Sequence, residues 1–117
     1  MLRQAARRIC ARLCVLALLC ALALTAGVAN AAELVIIRRD GCPWCARWDR
    51  DVAPIFAKTD IARRAPLHMV NLDHEPLPFQ ARTPFRYTPT FVLVDAGKEV
   101  GRIEGYPGDE FFWALLR

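Results

Sequence analysis

The sequence predicts an α/β domain in which a central sheet of four strands is flanked by helices. Short apolar runs rich in β-branched residues alternate with segments of helical periodicity. The first of these runs, Leu34–Ile37, contains no polar residue, which is typical of a strand that is covered on both faces. The predicted order is strand, helix, strand, weak helix, strand, strand, helix.

The first predicted strand, Leu34–Ile37, leads into a helix that should start at Cys42 or Pro43. Proline is tolerated at the first helical position because its missing N–H has no partner there in any case. Apolar residues then follow at helical spacing: Cys45, Trp48, Val52, Ile55 and Phe56. Pro54 lies within this pattern and should kink the helix or end it early.

The second half of the chain predicts the rest of the sheet and a closing helix. The expected strands are Leu67–Leu72, Phe91–Val94 and Glu99–Ile103. The last two should form a hairpin, because a turn sequence separates them. The segment Leu77–Tyr87 contains two prolines, so we expect a short or broken helix there. Asp109 is the expected N-cap of a final helix, Glu110–Leu116.

The first 31 residues have the layout of an export signal. Its basic start consists of Arg3, Arg7, Arg8 and Arg12. The apolar stretch Leu13–Val28 follows, and Ala29-Asn30-Ala31 places small residues where a signal peptidase cleaves. The stretch is shorter than the roughly 20 apolar residues of a membrane span. We therefore expect a signal peptide over residues 1–31 and a domain over residues 32–117, with an uncleaved membrane anchor as the alternative.

The formal net charge of +4 comes entirely from this leader. Without its four arginines, the 16 Lys+Arg of the chain fall to 12, which equals the 12 Asp+Glu. A domain with no net charge lacks the basic surplus that nucleic-acid binding requires, so we expect no nucleic-acid partner.

Cys42 and Cys45 are the two cysteines that lie outside the leader. In an exported domain, such a lone pair indicates a working disulfide, because a bridge over two residues closes almost no loop and stabilises little. At a helix N-terminus, Cys42 would face free backbone N–H groups that lower the pKa of its thiol. We expect Cys42 to attack a partner disulfide and Cys45 to resolve the mixed disulfide. Arg38 and Arg39 could favour the thiolate, but a solvated strand end is the favoured explanation for both.

A metal site is a weaker interpretation of the same cysteines. Zinc would need two further ligands, and His68, Asp73 and His74 lie in no paired motif, so we expect no metal. A chaperone that binds Cu(I) through the two thiols stays open as an alternative.

The second signal is Thr88-Pro89-Thr90, which stands directly before a predicted strand. A proline at the start of a strand cannot donate a backbone hydrogen bond to the neighbouring strand, so its presence there calls for an explanation. A cis Thr88–Pro89 bond would supply one, because it turns the chain sharply beside the thiols. Given the cysteine pair upstream, we predict the cis form; the alternative is an ordinary trans proline at a strand start.

These features together resemble the thioredoxin superfamily over nearly all of residues 34–116. The resemblance rests on Cys42-Pro43-Trp44-Cys45, Thr88-Pro89-Thr90-Phe91 and the stretch from Gly97 to Tyr106. It implies a three-layer thioredoxin fold, with a central mixed four-stranded sheet flanked by helices. It further implies that Cys42 is the nucleophile, that Cys45 is the resolving thiol, and that Pro89 faces them. Pro43, Trp44, Thr88 and Pro89 are the expected substrate-binding residues, with the backbone of Thr88 pairing with a substrate peptide.

Within the superfamily, the stretch Gly41–Asp49 is similar to the exported thioredoxin-like proteins of bacterial sulfur oxidation, the SoxS type. This implies a periplasmic thiol-disulfide oxidoreductase that reduces disulfides or cysteine adducts on an exported partner protein. A membrane thiol transporter would supply the electrons. We expect no cofactor, a monomer, and membrane contact only through an uncleaved leader. A disulfide oxidase or isomerase and a glutaredoxin-like enzyme remain the alternatives within this class.

The sequence departs from the thioredoxin pattern at two positions of the site. Ile36 stands where thioredoxins carry a buried acid that assists proton transfer at the resolving thiol. Trp44 lies between the thiols, where it could offer a face to a substrate or simply pack over the site.

Overall fold

The computed structural model describes residues 14–15 and 32–117. Apart from residues 14 and 15, the expected signal peptide lies outside the described residues, so its cleavage stays a prediction. None of the helices in these two ranges combines the length and the apolar character needed to cross a membrane.

Four strands form one mixed sheet. They are β1 (Glu33–Arg38), β2 (Leu67–Asn71), β3 (Thr90–Asp95) and β4 (Lys98–Glu104). The order across the sheet is β2-β1-β3-β4, with β1 parallel to β2 and antiparallel to β3. The four central residues of β1 are all buried, because this inner strand is covered on both faces. The predicted mixed four-stranded sheet is confirmed.

Within residues 32–117, four helices accompany the sheet. They are α1 (Pro43–Asp51), α2 (Ala53–Phe56), α3 (Asp60–Arg64) and α4 (Asp109–Leu115). The helical segment after the cysteine pair is interrupted at Val52, two residues before Pro54, as the sequence predicted. The Val52 N–H still bonds to the C=O of Trp48 at 2.9 Å, so α2 continues from α1 after a short break.

The helices cover one face of the sheet through an aromatic core. Its buried members include Leu34, Ile36, Trp48, Val52, Phe56, Phe91, Tyr106 and Phe112. Ring centroids lie 4.7 Å apart for Phe91 and Phe112 and 5.6 Å apart for Trp48 and Phe91. This core fixes α1, which contains Cys45 and directly follows Cys42, against the sheet.

An irregular segment, and not a helix, covers the opposite face, so the helix expected over residues 77–87 is wrong. Phe79 is buried there and Leu77 and Phe85 pack beside it, against valines and Ile37 of the sheet. Pro84 lies inside the segment, where it would remove a hydrogen-bond donor from a helix. Instead, the Gln80 N–H bonds to the C=O of Gly97 at 2.9 Å, and the Gln80 C=O accepts from Glu99 at 3.0 Å.

Two helix starts also differ from expectation. Gly108 is the N-cap of α4, and Asp109 is its first helical residue, so the predicted Asp109 cap is wrong. At that position a carboxylate still favours the helix through the dipole. Helix α3 was not predicted; its N-cap is Thr59, whose hydroxyl accepts from the Ala62 N–H at 3.2 Å.

Candidate active site

The backbone between β1 and α1 presents the cysteine pair at the edge of the sheet. After β1 ends, Gly41 has a φ of 65°, a left-handed conformation that glycine adopts without steric cost. Cys42 is then the N-cap of α1 and Pro43 its first residue, as the sequence predicted. The Cys42 sulfur accepts a hydrogen bond from the Cys45 N–H at 3.1 Å. The sulfur therefore occupies the place where a helix N-terminus stabilises negative charge.

Cys42 and Cys45 are joined in a disulfide, and their Cα atoms are 5.3 Å apart. Cys42 is partly exposed, whereas Cys45 is only 2% exposed. An incoming sulfur from solvent would therefore reach Cys42 before Cys45. The pair can open and close without any other part of the fold having to separate, because only two residues lie between the cysteines.

The Thr88–Pro89 bond is cis, as predicted, and it lies at the same edge of the sheet as the cysteines. Thr90, the first residue of β3, is the register partner of Ile37 near the end of β1. The Pro89 C=O accepts from the Gly105 N–H at 2.8 Å. Within residues 32–117, no hydrogen bond reaches the backbone N–H or C=O of Thr88.

Aromatic side chains add exposed apolar surface near both parts of the site. Trp44 is 52% exposed, and the guanidinium of Arg47 lies 5.7 Å from the centroid of its ring. Pro43 beside it is also exposed. Tyr87, which directly precedes Thr88, is 60% exposed. Trp44 is thus a surface residue whose ring contacts the Arg47 guanidinium. Tyr87 was not among the site residues predicted from the sequence.

The two arginines before the motif have carboxylate partners. Arg38 donates to both oxygens of Asp49 at 2.6 Å, and Arg39 donates to Asp73 at 2.8 Å. The hydrogen bond to Asp49 raises the pKa of Arg38. No local sequence pattern predicts this pairing, because Arg38 and Asp49 are 11 positions apart in the chain. The structure supports a structural role for both arginines over direct contact with the thiols.

The acidic residue closest before the motif, Asp40, is also engaged. It accepts from the Asn71 amide at 2.9 Å and pairs with His74 at 2.7 Å. These hydrogen bonds hold the pKa of Asp40 below its usual value. The other histidine, His68, lies 3.7 Å from Glu33 near the far end of β2. The structure thus does not bring His68 and His74 together, and residues 32–117 contain no cluster of three or more metal-ligating side chains.

Among the described residues, no buried carboxylate lies beside Ile36 to replace the acid that thioredoxins carry at this position. Ile36 is buried in the aromatic core that also contains Trp48. The buried carboxylate of the described residues is Glu99, which lies on the other face of the sheet and is bound to Arg102. Glu99 and Arg102 were not singled out by the sequence, because neither belongs to a recognisable motif.

The described domain is similar to two solved thioredoxin-like structures. One is the periplasmic thioredoxin SoxS from Paracoccus pantotrophus in its reduced form, which is 42% identical, with a TM-score of 0.67. That match covers 73% of this chain and 90% of the other. The second is Trxlp from Edwardsiella tarda, 27% identical, with a TM-score of 0.55 and coverage of 81% and 91%. No family model matches the chain, and no curated protein matches it either.

Proposed function

The chain belongs to the thioredoxin superfamily as a thiol-disulfide oxidoreductase of the SoxS type, and we propose that it reduces disulfides or cysteine adducts on an exported partner protein. The observation that carries this proposal is the placement of the two sulfurs. Cys42 is the partly exposed N-cap of α1, and Cys45 is buried one turn further along. This arrangement suits one sulfur for attack and the other for resolution.

The reduction proceeds by two thiol-disulfide exchanges. The Cys42 thiolate attacks one sulfur of the partner disulfide, so that a mixed disulfide forms and the first partner sulfur leaves as a thiolate. The Cys45 thiolate then attacks the Cys42 sulfur, which breaks the mixed disulfide and releases the second partner sulfur. The partner gains two electrons, and the Cys42–Cys45 disulfide is left behind. A dithiol donor must reverse this step before another turnover, and we assign that part to a membrane thiol transporter.

The helix N-terminus supports the role of Cys42 as nucleophile. A free thiol has a pKa of about 8.5, and thiols at helix N-termini have lower values because free N–H groups stabilise the thiolate. The hydrogen bond from the Cys45 N–H to the Cys42 sulfur is one such contact. Cys45 is covered by the core and can react only with a sulfur that has already bound to Cys42.

The free backbone edge at Thr88 supports peptide recognition. An extended partner segment could donate to the Thr88 C=O and accept from its N–H, as one strand adds to another. Cis-Pro89 follows at the same sheet edge as the cysteines. Pro43 and Trp44 would contact the same segment from the other side, because both are exposed at the start of α1.

We place this reaction in the periplasm. The predicted signal peptide over residues 1–31 would export the domain, and one structural neighbour is a periplasmic thioredoxin. A sulfur-oxidation carrier protein is the partner that the SoxS type suggests.

The direction of the reaction is tested by measuring the redox potential of the Cys42–Cys45 couple against glutathione. We expect a value near that of thioredoxin, about −270 mV, whereas a value near −120 mV would identify a disulfide-forming oxidase. Cys42→Ser is the control, because it cannot form the disulfide. Tight binding of one equivalent of Cu(I) with no turnover of a disulfide would instead favour the metal-chaperone alternative.

A further inference from the structure

A buried ion pair lies on β4, on the sheet face opposite the cysteine-bearing helix. Arg102 donates to the two carboxylate oxygens of Glu99 at 2.6 and 2.7 Å. The Glu99 side chain is 1% exposed and that of Arg102 is 13% exposed. A buried carboxylate is costly unless its oxygens are all satisfied, so this pair calls for an explanation.

A β-bulge places the two residues on the same face. Residues three apart in a regular strand point to opposite faces, but the register of β4 shifts at Val100. Consequently Val94 pairs with Glu99 and Val92 pairs with Arg102, and both valines are buried on the sheet face that the irregular segment covers. The extra residue therefore brings the carboxylate and the guanidinium together.

Glu99 and Arg102 both contact the irregular segment over residues 77–87. The Glu99 carboxylate accepts from the Arg82 N–H at 2.8 Å. The Arg102 guanidinium donates to the Thr83 C=O at 3.0 Å and lies 4.5 Å from the centroid of the Phe85 ring. Arg102 also donates to the Pro84 C=O at 3.5 Å, so all four residues 82–85 are contacted by two side chains of β4. This part of the chain has few backbone hydrogen bonds of its own.

This segment leads directly to Thr88 and Pro89, which form the proposed peptide-binding edge. Phe85 is three residues before Thr88, and the Pro89 C=O is held by the Gly105 N–H at 2.8 Å. Strand β4 and the residue that follows it therefore hold the loop on both sides of Thr88, through Arg102 of the strand and through Gly105 directly after it. The Thr88 backbone between these anchors makes no hydrogen bond within residues 32–117.

We propose that Glu99 and Arg102 are positioning residues that set the Thr88–Pro89 edge for an incoming peptide. This inference rests on the proposed function, because it assumes that the edge binds the partner chain. Neither residue touches the cysteines, so the pair governs recognition of an extended partner and leaves the chemistry of the sulfurs unchanged.

The test compares a protein disulfide with a small one. The reduced protein is mixed with insulin or with dithiobis-nitrobenzoate, and the second-order rate constant of each reaction is measured. The main variant is Glu99→Gln with Arg102→Met, which removes both charges together and so leaves no buried charge without a partner. We expect its rate constant with insulin to fall at least roughly tenfold. The rate constant with the small disulfide should stay within about twofold of the native value.

Two further variants separate positioning from general stability. Arg102→Lys keeps the charge but loses the planar fork, and we expect the same selective loss to a smaller degree. If the double variant fails to fold, Arg102→Lys decides the question alone. Val35→Ala removes packing from the same core without touching the pair, and it should leave the ratio of the two rate constants unchanged.

The outcomes are distinct. Equal losses with both disulfides, or no loss in the folded variants, would overturn the positioning role. A native protein that reacts with dithiobis-nitrobenzoate but never reduces insulin would instead contradict the proposed function. A selective loss with insulin, together with an unchanged ratio in Val35→Ala, supports the inference.

Discussion

The guanidinium of Arg38 holds both carboxylate oxygens of Asp49, each at 2.6 Å, and so ties the end of β1 to the helix that carries Cys45. The pair spans the cysteine motif, because Arg38 precedes Cys42 and Asp49 follows Cys45. Planar two-point contacts of this kind add geometric specificity as well as energy. The contact therefore helps to hold the start of α1 against the sheet.

Replacing Asp49 by Asn should weaken this tie and lower the free energy of unfolding. Both side chains are partly exposed, so solvent screening limits the expected loss to about 0.5–1 kcal/mol. Urea unfolding of the oxidised protein measures the change. Asp51→Asn is the matched control on the same helix, because the contacts of Asp51 with Arg50 and Arg47 are longer, at 3.2 and 3.4 Å, and should matter less. Equal effects of the two changes would contradict a special role for the Arg38–Asp49 pair.

The stability of the domain should depend on the ionisation of Glu99. The hydrogen bond from Arg102 lowers the pKa of Glu99 in the folded state, whereas the unfolded chain has an ordinary value of about 4.3. The stabilisation is therefore complete above that ordinary value and is lost as the pH falls through the folded-state pKa. Glu99→Gln should be less stable than the native protein at neutral pH, and the difference should shrink on acidification.

Thermal unfolding at a series of pH values between about 7 and 3 checks this expectation. Glu110→Gln is the control, because Glu110 is exposed at the start of α4. A difference between native protein and Glu99→Gln that stays constant with pH would argue against linkage at this carboxylate.

Trp48 combines full burial with an indole N–H that has no partner among the described residues. Trp48→Phe removes that donor along with some packing, and these two effects oppose each other. We expect a loss of less than about 1.5 kcal/mol for Trp48→Phe, against about 3–5 kcal/mol for Trp48→Ala. Chemical denaturation measures both variants, and a similar large loss in both would indicate that the indole N–H has a partner in solution.

The roles of the two cysteines are separated by trapping. Cys45→Ser leaves the nucleophile without a resolving thiol, so it should accumulate a mixed disulfide with its partner. Cys42→Ser should form no adduct, because its remaining thiol is buried. Non-reducing electrophoresis of the mixtures detects the adduct, and an adduct that forms with Cys42→Ser instead would reverse the assignment.

Sequence reasoning located the elements whose signals are local. The buried strand β1, the helix start at Cys42-Pro43 and the break before Pro54 each follow from a few neighbouring residues. The cis Thr88–Pro89 bond was predicted from the proline together with the cysteine pair upstream. Apolar runs, capping positions and prolines act over such short distances, so the sequence alone carries them.

The features that the sequence did not predict depend on distant partners or on very short signals. The segment before Tyr87 was expected to contain a helix, but its order comes from Arg102, whose partner Glu99 lies on the same face only because of the bulge at Val100. Asp49 likewise has its partner on another element. Helix α3 spans five residues, too few for a periodic pattern, although Thr59 before Asp60 is a capping signal that could have indicated it.

The most direct test of the account is the pH dependence of alkylation in the reduced protein, followed separately at each cysteine by mass spectrometry. At pH ~7 we expect iodoacetamide to modify Cys42 rapidly and Cys45 hardly at all, with the Cys42 rate following a thiol pKa below the ordinary ~8.5. If Cys45 reacted first, or if both sulfurs stayed unmodified near neutral pH, the exchange mechanism proposed for this protein would be contradicted.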